Sequence, residues 1–584
     1  MIGRICRIAA IGVTLLGSAA CIDINEGIGQ NFIPTDQQWD VFTPEPVYLQ
    51  DIRLQMSDSL SGYSTQRITI GAVNDDILGS CIKSSSITLV PINDTLDFGD
   101  NPVVRQFHMA IARDTLSTIY DYQQMTLQNI YITELKKPID SLVLYTGSFM
   151  NQSLKEAYVS SKMVSDGIPV YDGGDSLSFN FSKEYAQKVI KGIDQWQRTT
   201  PAEDRDSLDL YLKTIPGIYM TTDQPAGKGG RINMFELALS TNTSGYVSGN
   251  YAELKIRTDY GDRRNVDTTF LFILGPSEFV DLEGSSLPTQ IAFNASNHTY
   301  IDGDSDFSKG VVAKDKIFIE GGAGIKPVIK ATEIKDIVER IITDEGVQDI
   351  SQVVINKATI VLPYDVETLS GGYEALDKFP RILSPTVRLR STSGKQVTYA
   401  GLTDSSIESE NQGDINRSLG LYSPDISHHV QEILKLDRNS SSFDKDIERY
   451  DIWMLIMYEE ITQTSSNNSY NDYYNNLLYN SYYNSMMYDP YGYGYGGYGG
   501  YGYGYGGYGG YGGYGGYGGY GYNNYYNYYM MAALASSSSS SSNVSSSIEL
   551  DRDRYYNGIL AGPESASDKR PYIKITFSAP QTAE

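Results

Sequence analysis

RYDIWMLIMYEEI, residues 449–461, is an apolar run of strand-forming residues with charged residues near both ends. This pattern predicts a buried β-strand. The composition then changes, because residues 462–548 hold 24 of the 48 tyrosines and no Lys, Arg or Glu. PYIKITFSAP, residues 571–580, alternates apolar and polar residues as another strand would. The block between them is therefore predicted to be a loop inside a β-rich domain, since loop-closure entropy grows only logarithmically with length.

Within this block, Tyr491 to Tyr522 consist of tyrosine and glycine alone, and a serine run follows. Glycine leaves the backbone unrestricted, while tyrosine supplies aromatic faces and hydroxyls. The block has no charged face or aliphatic periodicity to offset its ordering entropy, so we expect it to be disordered. Two roles stay open: an entropic spacer grown by repeat slippage, and a multivalent loop that contacts glycan, protein or itself.

Elsewhere the chain alternates short strand patterns with turn clusters, and few helices are expected. Strands are predicted at 47–56, 66–73, 85–92, 103–112 and 127–135. Helices are predicted at 182–193 with Ser182 as cap, at 331–346 with Thr332 as cap and Gly346 as stop, and at 423–434 with Ser423 and Pro424 at its start. The predicted fold class is mainly β, with two β-sandwich-like domains, a few short helices and a long disordered Tyr/Gly/Ser loop in the C-terminal domain.

The N-terminus reads MIGRICRIAAIGVTLLGSAAC. Its apolar part is far shorter than the ~20 residues of a spanning helix, so it predicts a secretory signal. The small residues before Cys21 resemble a bacterial lipobox, in which Cys21 is acylated; an ordinary signal peptide with an incidental cysteine is the alternative. The predicted organisation along the chain is a signal peptide (1–20), a lipidated tether (21–40), an N-terminal β-rich domain (41–280) and a C-terminal β-rich domain (281–584) that contains the insertion 462–548.

Charge and cysteine content restrict the partners. The chain has 46 Lys and Arg against 71 Asp and Glu, which argues against binding nucleic acid or an anionic surface through bulk charge. If Cys21 carries lipid, Cys81 is left without a disulfide partner in the mature chain, and its strand-like surroundings predict a small buried residue.

No catalytic residue, cofactor site or metal site is predicted. The adjacent His428 and His429 would point about 100° apart on a helix and cannot face one metal. Residues 321–327, GGAGIKP, predict a β-turn rather than a phosphate cradle. Alternating aspartates at 302–306 leave a weak calcium site open beside the simpler solvated turn, because the glycine and glutamate of a calcium loop are missing. Paired carboxylates have no sequence signature, so a glycan hydrolase also stays open.

Asp-Ser/Thr-Leu tripeptides recur along the first half of the chain and resemble the O-glycosylation signal of secreted Bacteroidota proteins. The possible acceptors are Ser59, Thr95, Thr115, Ser141, Ser176 and Ser207. The alternative is that each tripeptide marks the exit from a turn into a strand.

Five stretches resemble the Bacteroidota outer-membrane lipoproteins grouped as domain of unknown function 4270. They are GIGQNFIP (27–34), YLKTIPGIYMTTDQPAGKGGRINMFEL (211–237), KIFIEGGAGIKPVIKATEI (316–334), INKATIVLPYD (355–365) and PYIKITF (571–577). The resemblance implies a lipid-anchored outer-membrane protein with β-rich domains and no catalytic residues. Asp23 and Glu26, just behind Cys21, are similar to a surface-export signal of these bacteria.

Two functions follow as hypotheses. The first is a non-enzymatic surface lipoprotein of the outer membrane, acting as an accessory subunit of a membrane assembly or as an adhesion module. The alternative is a surface lipoprotein that binds or degrades glycans. The expected partners are the membrane, through the lipid anchor, and an outer-membrane protein complex or a glycan; nucleic acid is not expected.

Overall fold

The computed structural model describes residues 39–581 except for fifteen gaps. These are 58–61, 65–66, 94, 115–125, 140–151, 238, 242–246, 280–287, 301–305, 366–378, 391–396, 405–412, 464–543, 552–555 and 567–568.

Of the 31 strands in the described residues, 19 lie before residue 300. They are β1 (Trp39–Phe42), β2 (Val47–Tyr48), β3 (Ile52–Met56), β4 (Tyr63–Ser64), β5 (Arg67–Asp75), β6 (Gly79–Ile87), β7 (Leu89–Pro91), β8 (Asp100–Ala112), β9 (Gln128–Leu135), β10 (Val159–Met163), β11 (Val170–Tyr171), β12 (Ser176–Asn180), β13 (Ile218–Thr222), β14 (Gly229–Glu236), β15 (Leu239–Thr241), β16 (Val247–Gly249), β17 (Tyr251–Tyr260), β18 (Arg263–Leu274) and β19 (Ala292–Thr299).

The remaining strands follow residue 310. They are β20 (Val311–Val312), β21 (Lys316–Glu320), β22 (Ile325–Ile329), β23 (Val354–Pro363), β24 (Ile382–Arg390), β25 (Val397–Gly401), β26 (Ile415–Asn416), β27 (Leu421–Tyr422), β28 (Ile452–Gln463), β29 (Val544–Leu550), β30 (Asn557–Ala561) and β31 (Tyr572–Pro580).

The α-helices of the described residues are short. They are α1 (Gln152–Tyr158), α2 (Lys183–Thr199), α3 (Leu208–Thr214), α4 (Ala331–Asp344), α5 (Ser427–Leu434) and α6 (Phe443–Glu448), with single 3₁₀ turns at Ala202–Asp204 and Ile350–Gln352. Strands make up 49% and helices 18% of the structure, which confirms the predicted mainly β class. Among the described residues, no helix has the length and apolarity needed to cross a bilayer.

Four larger antiparallel sheets organise the strands. Sheet A has the order β1-β31-β23-β27-β26, with β2 also on β31, and sheet B has the order β20-β3-β22-β28-β24-β25, with β29 on β28. Sheet C has the order β10-β9-β13-β6-β19-β4, with β5 on β6, β14 on β5 and β11 on β9. Sheet D has the order β12-β8-β17-β18-β7. The pairs β15-β16 and β21-β30 stand apart.

Two large hydrophobic cores lie among these sheets. One is built from sheets C and D with α2, and the other from sheets A and B with α4 and α5. The first strands of the chain belong to the second core, because β1 and β2 pair with β31 and β3 pairs with β22. The predicted domain boundary at residue 280 stays a prediction, but the sheets of the second half include strands from before residue 57. Sequence periodicity carries no information about such long-range pairing.

The helix predictions succeed where the cap is local. Ser182 accepts a hydrogen bond from the backbone N–H of Tyr185 at 3.2 Å and caps α2 as predicted. The helix runs on to Thr199, beyond the predicted end at residue 193, because Trp196 is buried in the core. Gly346 follows α4 with φ +84°, a left-handed conformation that suits the predicted stop.

Two predicted caps are wrong. Asp451, not Thr332, caps α4, because its carboxylate accepts from the N–H of Ala331 at 3.0 Å. Helix α5 begins at Ser427 rather than near Ser423 and Pro424, and Asp404 accepts from the N–H groups of His428 (2.6 Å) and His429 (3.1 Å). Asp451 and Asp404 lie far from these helices in the chain, so a local sequence pattern cannot reveal them, whereas Asp425 accepts from the N–H of Ser427 at 2.9 Å within the predicted stretch.

Candidate functional site

Strand β28 is the strand predicted from RYDIWMLIMYEEI, and both of its faces are buried. Ile452, Met454 and Ile456 contribute to the core of sheets A and B, while Trp453, Leu455 and Met457 form a separate apolar cluster on the opposite face. β22 and β24 pair with the first half of β28, up to Met457. This strand is therefore anchored in the centre of sheet B.

Beyond Met457, β28 continues as a two-stranded ribbon with β29. The register runs from Tyr458 opposite Glu549 to Gln463 opposite Val544, and no other described strand pairs with residues 458–463. At ~3.3 Å per residue, the ribbon extends about 20 Å past the sheet. The two ends of segment 464–543 therefore leave the fold side by side at the tip of this ribbon.

The predicted bounds of the insertion, 462–548, include strand residues at both ends. Residues 462–463 and 544–548 are strand residues that pair with each other. The serines of VSSSIEL look like the preceding serine run, but backbone ladder bonds do not require apolar side chains. The inserted segment is about 80 residues, 464–543, and its predicted disorder lies outside the described residues.

A glycine turn and an aspartate form the base of the ribbon. Asp551, directly after β29, donates its N–H to the carbonyl of Ile456 at 2.9 Å and accepts from the N–H of Gly322 at 3.0 Å. A Cβ on Gly321 would lie 1.5 Å from Oδ2 of Asp551, so a larger residue there would force the carboxylate of Asp551 to move. Within GGAGIKP, residues 321–324 form the predicted turn between β21 and β22, and IKP is already part of β22.

Two charged side chains are buried beside this turn. Glu320 accepts hydrogen bonds at Oε2 from the hydroxyl of Tyr300 (2.8 Å) and the N–H of Ile325 (3.1 Å). The ammonium of Lys326 donates to the carbonyls of Glu320, Gly322 (2.9 Å) and Gly324 (3.0 Å), which uses all three of its protons. Both residues are 1% exposed.

His298 connects these residues to sheet C. Its Nδ1 lies 3.4 Å from Oε1 of Glu320, its Nε2 lies 3.8 Å from Sγ of Cys81, and its ring stacks on Tyr300. Lys83, also buried, donates to the hydroxyl of Ser296 on the neighbouring strand β19. We call Cys81, Lys83, His298, Tyr300, Glu320 and Lys326, together with Asp551, the buried ionic cluster.

The cluster shifts the pKa values of its members in ways that follow from burial and charge. Burial alone would lower the pKa of His298. The neighbouring Cys81 and Glu320 outweigh this effect and raise the pKa to about 9. Burial alone raises the pKa of Glu320, yet His298 and the bonds from Ile325 and Tyr300 leave it below its usual value. Burial lowers the pKa of Lys326 to about 7. His298 and Glu320 therefore form an ion pair at neutral pH.

In space, Cys81, His298 and Glu320 are arranged like the nucleophile, the base and the orienting carboxylate of a catalytic triad. Cys81 is a free thiol with 0% exposure, which confirms the predicted burial and closes it to substrates in this conformation. The arrangement instead joins β6 and β19 of sheet C to β21 and β22 at the base of the ribbon. No sequence motif indicates this cluster; its only signals in the sequence are single charged residues inside apolar strands, such as Lys326 in IKPVI.

Stability should depend on pH in opposite directions through His298 and His429. His429 is buried and donates an N–H from Nε2 to the carbonyl of Tyr450 (2.8 Å), and burial lowers its pKa to about 4. The unfolded chain binds a proton near pH 6.5, so His429 costs stability as the pH falls from 6.5 to 4. His298, with its raised pKa, contributes stability below pH 6.5 that is lost as the pH rises to 9. Each shift corresponds to about 3 kcal/mol.

Urea unfolding of the wild type, His298→Gln and His429→Gln at pH 5, 7 and 9 tests these two opposite pH dependences of stability. The free energy of unfolding of the wild type should exceed that of His298→Gln by an amount that shrinks toward pH 9. Toward pH 5, His429→Gln should become more stable than the wild type. The slope of Lys326 cancels in the His429→Gln difference, because His429 lies outside the buried ionic cluster. Parallel curves for all three proteins would contradict the assignment.

The predicted modification sites are only partly covered by the structure. Cys21, Ser59, Thr115 and Ser141 lie outside the described residues. Thr95 is exposed in a loop, Ser176 is exposed as the first residue of β12, and Ser207 is half-buried before α3. The structure does not bring these residues together, and their glycosylation stays a prediction.

The aspartate loop and the histidine pair offer no metal site among the described residues. No group of three His, Cys, Asp or Glu side chains in that part of the chain could hold a metal ion. Residues 302–305 lie outside the described residues, and the carboxylate of Asp306 accepts from Ser308 and pairs with Lys309 at 2.9 Å. His429 is buried, whereas His428 has a half-exposed side chain 3.8 Å from Glu432, so the two rings have different partners.

Comparisons with protein-family models, with curated proteins and with solved structures find no match to this chain. The resemblance to the outer-membrane lipoprotein family therefore stays a prediction.

Proposed function

We propose that this chain is an outer-membrane lipoprotein, anchored through Cys21 and facing outward, that presents segment 464–543 to a binding partner without catalysing a reaction. The presentation serves adhesion or attachment to an outer-membrane assembly. The observation that supports it is the pairing of Gln463 with Val544, which holds both ends of the segment at the tip of the ribbon.

The ribbon is well suited to carry such a segment. Two sets of contacts fix its base. The side chains on both faces of the first half of β28 are buried, and the backbone of Asp551 forms hydrogen bonds with Ile456 and Gly322. A load on the segment is therefore transmitted to two strands of a packed sheet. The segment supplies 24 tyrosines in about 80 residues, and many weak aromatic contacts from one attachment point add up through effective concentration.

Replacing residues 464–543 with about ten Gly and Ser residues should leave the body folded and abolish adhesion. Shortening the loop about eightfold is three doublings, which favours the folded state by roughly 2 kcal/mol through closure entropy. We expect an unchanged or higher melting temperature, together with loss of self-association and of binding by intact cells that display the protein. Calorimetry and a cell-adhesion assay measure the two effects.

A full-length control, in which the 24 tyrosines are replaced by serine, keeps the loop length and removes the aromatic rings. Adhesion should be lost here too. If this control adheres like the wild type, the segment is a spacer and the proposed function is wrong. A clear fall in melting temperature on shortening would show that the segment packs on the body. Binding to glycans that survives both changes would favour the glycan-binding alternative.

A further inference from the structure

The outward face of sheet A carries several exposed apolar side chains among its polar ones. Val41, Ser578 and Val354 lie in one row across β1, β31 and β23, and Trp39 lies opposite Pro580. Exposure is 48% for Trp39, 66% for Val41 and 46% for Val354. This is an apolar patch on the solvent side of the sheet.

The neighbouring positions show that this face is separate from the core. Phe42 and Phe577 alternate with the patch residues along β1 and β31, and their rings stack at 5.0 Å in the hydrophobic core. Because strand side chains alternate between faces, Trp39 and Val41 point away from that core. An exposed tryptophan beside two exposed valines on one face of a sheet makes this face a candidate interaction surface.

Further along the same face, aromatic rings occur together with cations. Tyr48 is 40% exposed and packs edge-on against Tyr572 at 6.5 Å, and the guanidinium of Arg570 lies 5.8 Å from the ring of Tyr48. Lys574 is exposed between the two ends of the face. Tryptophan and tyrosine favour the boundary between water and lipid, and long cationic side chains reach from it to the headgroups.

The position of the face in the chain identifies its occupant. Trp39 is the first described residue, and 17 residues separate it from Cys21. Even fully extended, 17 residues span at most about 60 Å. A body tethered to a bilayer at Cys21 therefore keeps β1 near the lipid surface.

We propose that this face of sheet A, formed by Trp39, Val41, Val354, Tyr48 and Tyr572, lies on the phospholipid surface into which Cys21 is anchored. The inference rests on the lipid anchoring in the proposed function. It assigns one side of the body to the membrane, with Trp39 at the level of the headgroups.

The tryptophans make this contact measurable. The chain has three, and Trp196 (2% exposed) and Trp453 (4% exposed) are buried in cores. The acylated full-length protein, reconstituted into phosphatidylcholine vesicles with brominated acyl chains, should show tryptophan quenching relative to unbrominated vesicles. Trp39→Phe should lose this quenching, and Val41→Asp, which keeps Trp39 and makes the patch polar, should show at most half of it.

Flotation of the same vesicles separates the two claims. Flotation without quenching in the wild type overturns this inference and leaves the lipid anchor intact. Wild-type protein that does not float overturns the anchor and this inference together. A concentration-dependent blue shift of Trp39 emission without lipid would assign the face to a second copy of the chain and overturn it as well. Melting temperatures equal to the wild type show that both variants are folded.

Discussion

Replacing Glu320 by glutamine should lower the free energy of unfolding by about 3–5 kcal/mol at neutral pH, because it leaves buried cations without their counter-charge. Glutamine has almost the same shape, and its amide oxygen can still accept from Tyr300 and Ile325. His298 and Lys326 nevertheless lose the carboxylate that supports their charge. Urea unfolding followed by circular dichroism measures the loss.

A surface ion pair serves as the matched control. Asp76 lies 2.7 Å from the ammonium of Lys228, and both side chains are more than 60% exposed. Asp76→Asn should change stability little, since water solvates the remaining charge. Equal stability of Glu320→Gln and Asp76→Asn would mean that the buried ionic cluster does not hold the sheets together. The loss in Glu320→Gln should also shrink toward pH 9, where His298 becomes neutral.

Replacing Trp453 by alanine should cost about 3–5 kcal/mol, as is usual for a large aromatic side chain removed from a core. Its ring packs edge-on against Tyr399 at 5.5 Å and lies 5.1 Å from the guanidinium of Arg388. The effect should appear in denaturant unfolding as a lower midpoint with an unchanged slope.

Trp39→Ala is the control of the same chemistry, because Trp39 is 48% exposed. In the absence of lipid it should unfold close to the wild type. A Trp453→Ala variant as stable as Trp39→Ala would show that the second face of β28 is not packed. The ribbon would then lack the support on which the presentation of segment 464–543 depends.

Sequence alone predicts those parts of the fold whose causes are local. The alternation in residues 571–580, the apolar run of β28 and the cap at Ser182 each depend on neighbouring residues, and the structure contains all three. The buried thiol of Cys81 follows from its strand context in the same way. Each of these features is stabilised mainly by residues close together in the chain, so a short sequence pattern is enough to predict it.

Features formed by distant residues could not be predicted in this way. The cap of α4 comes from Asp451, 120 residues away, and that of α5 comes from Asp404. The ion pair of His298 and Glu320 links two strands that contact only through tertiary packing. The strand formed by VSSSIEL depends on a partner across an 80-residue gap, and only the pairing separates it from the serine run before it.

The pairing of β1 with β31 determines when the fold can be completed. Gln581 donates to Asp40 at 2.7 Å, and the two residues are 541 positions apart. β1 therefore cannot form its pairing until β31 has been synthesised. Such non-local pairing slows folding. During that interval the exposed edge of an apolar strand is open to wrong partners. The short length of β1 and its acidic Asp40 limit this risk until β31 pairs with it.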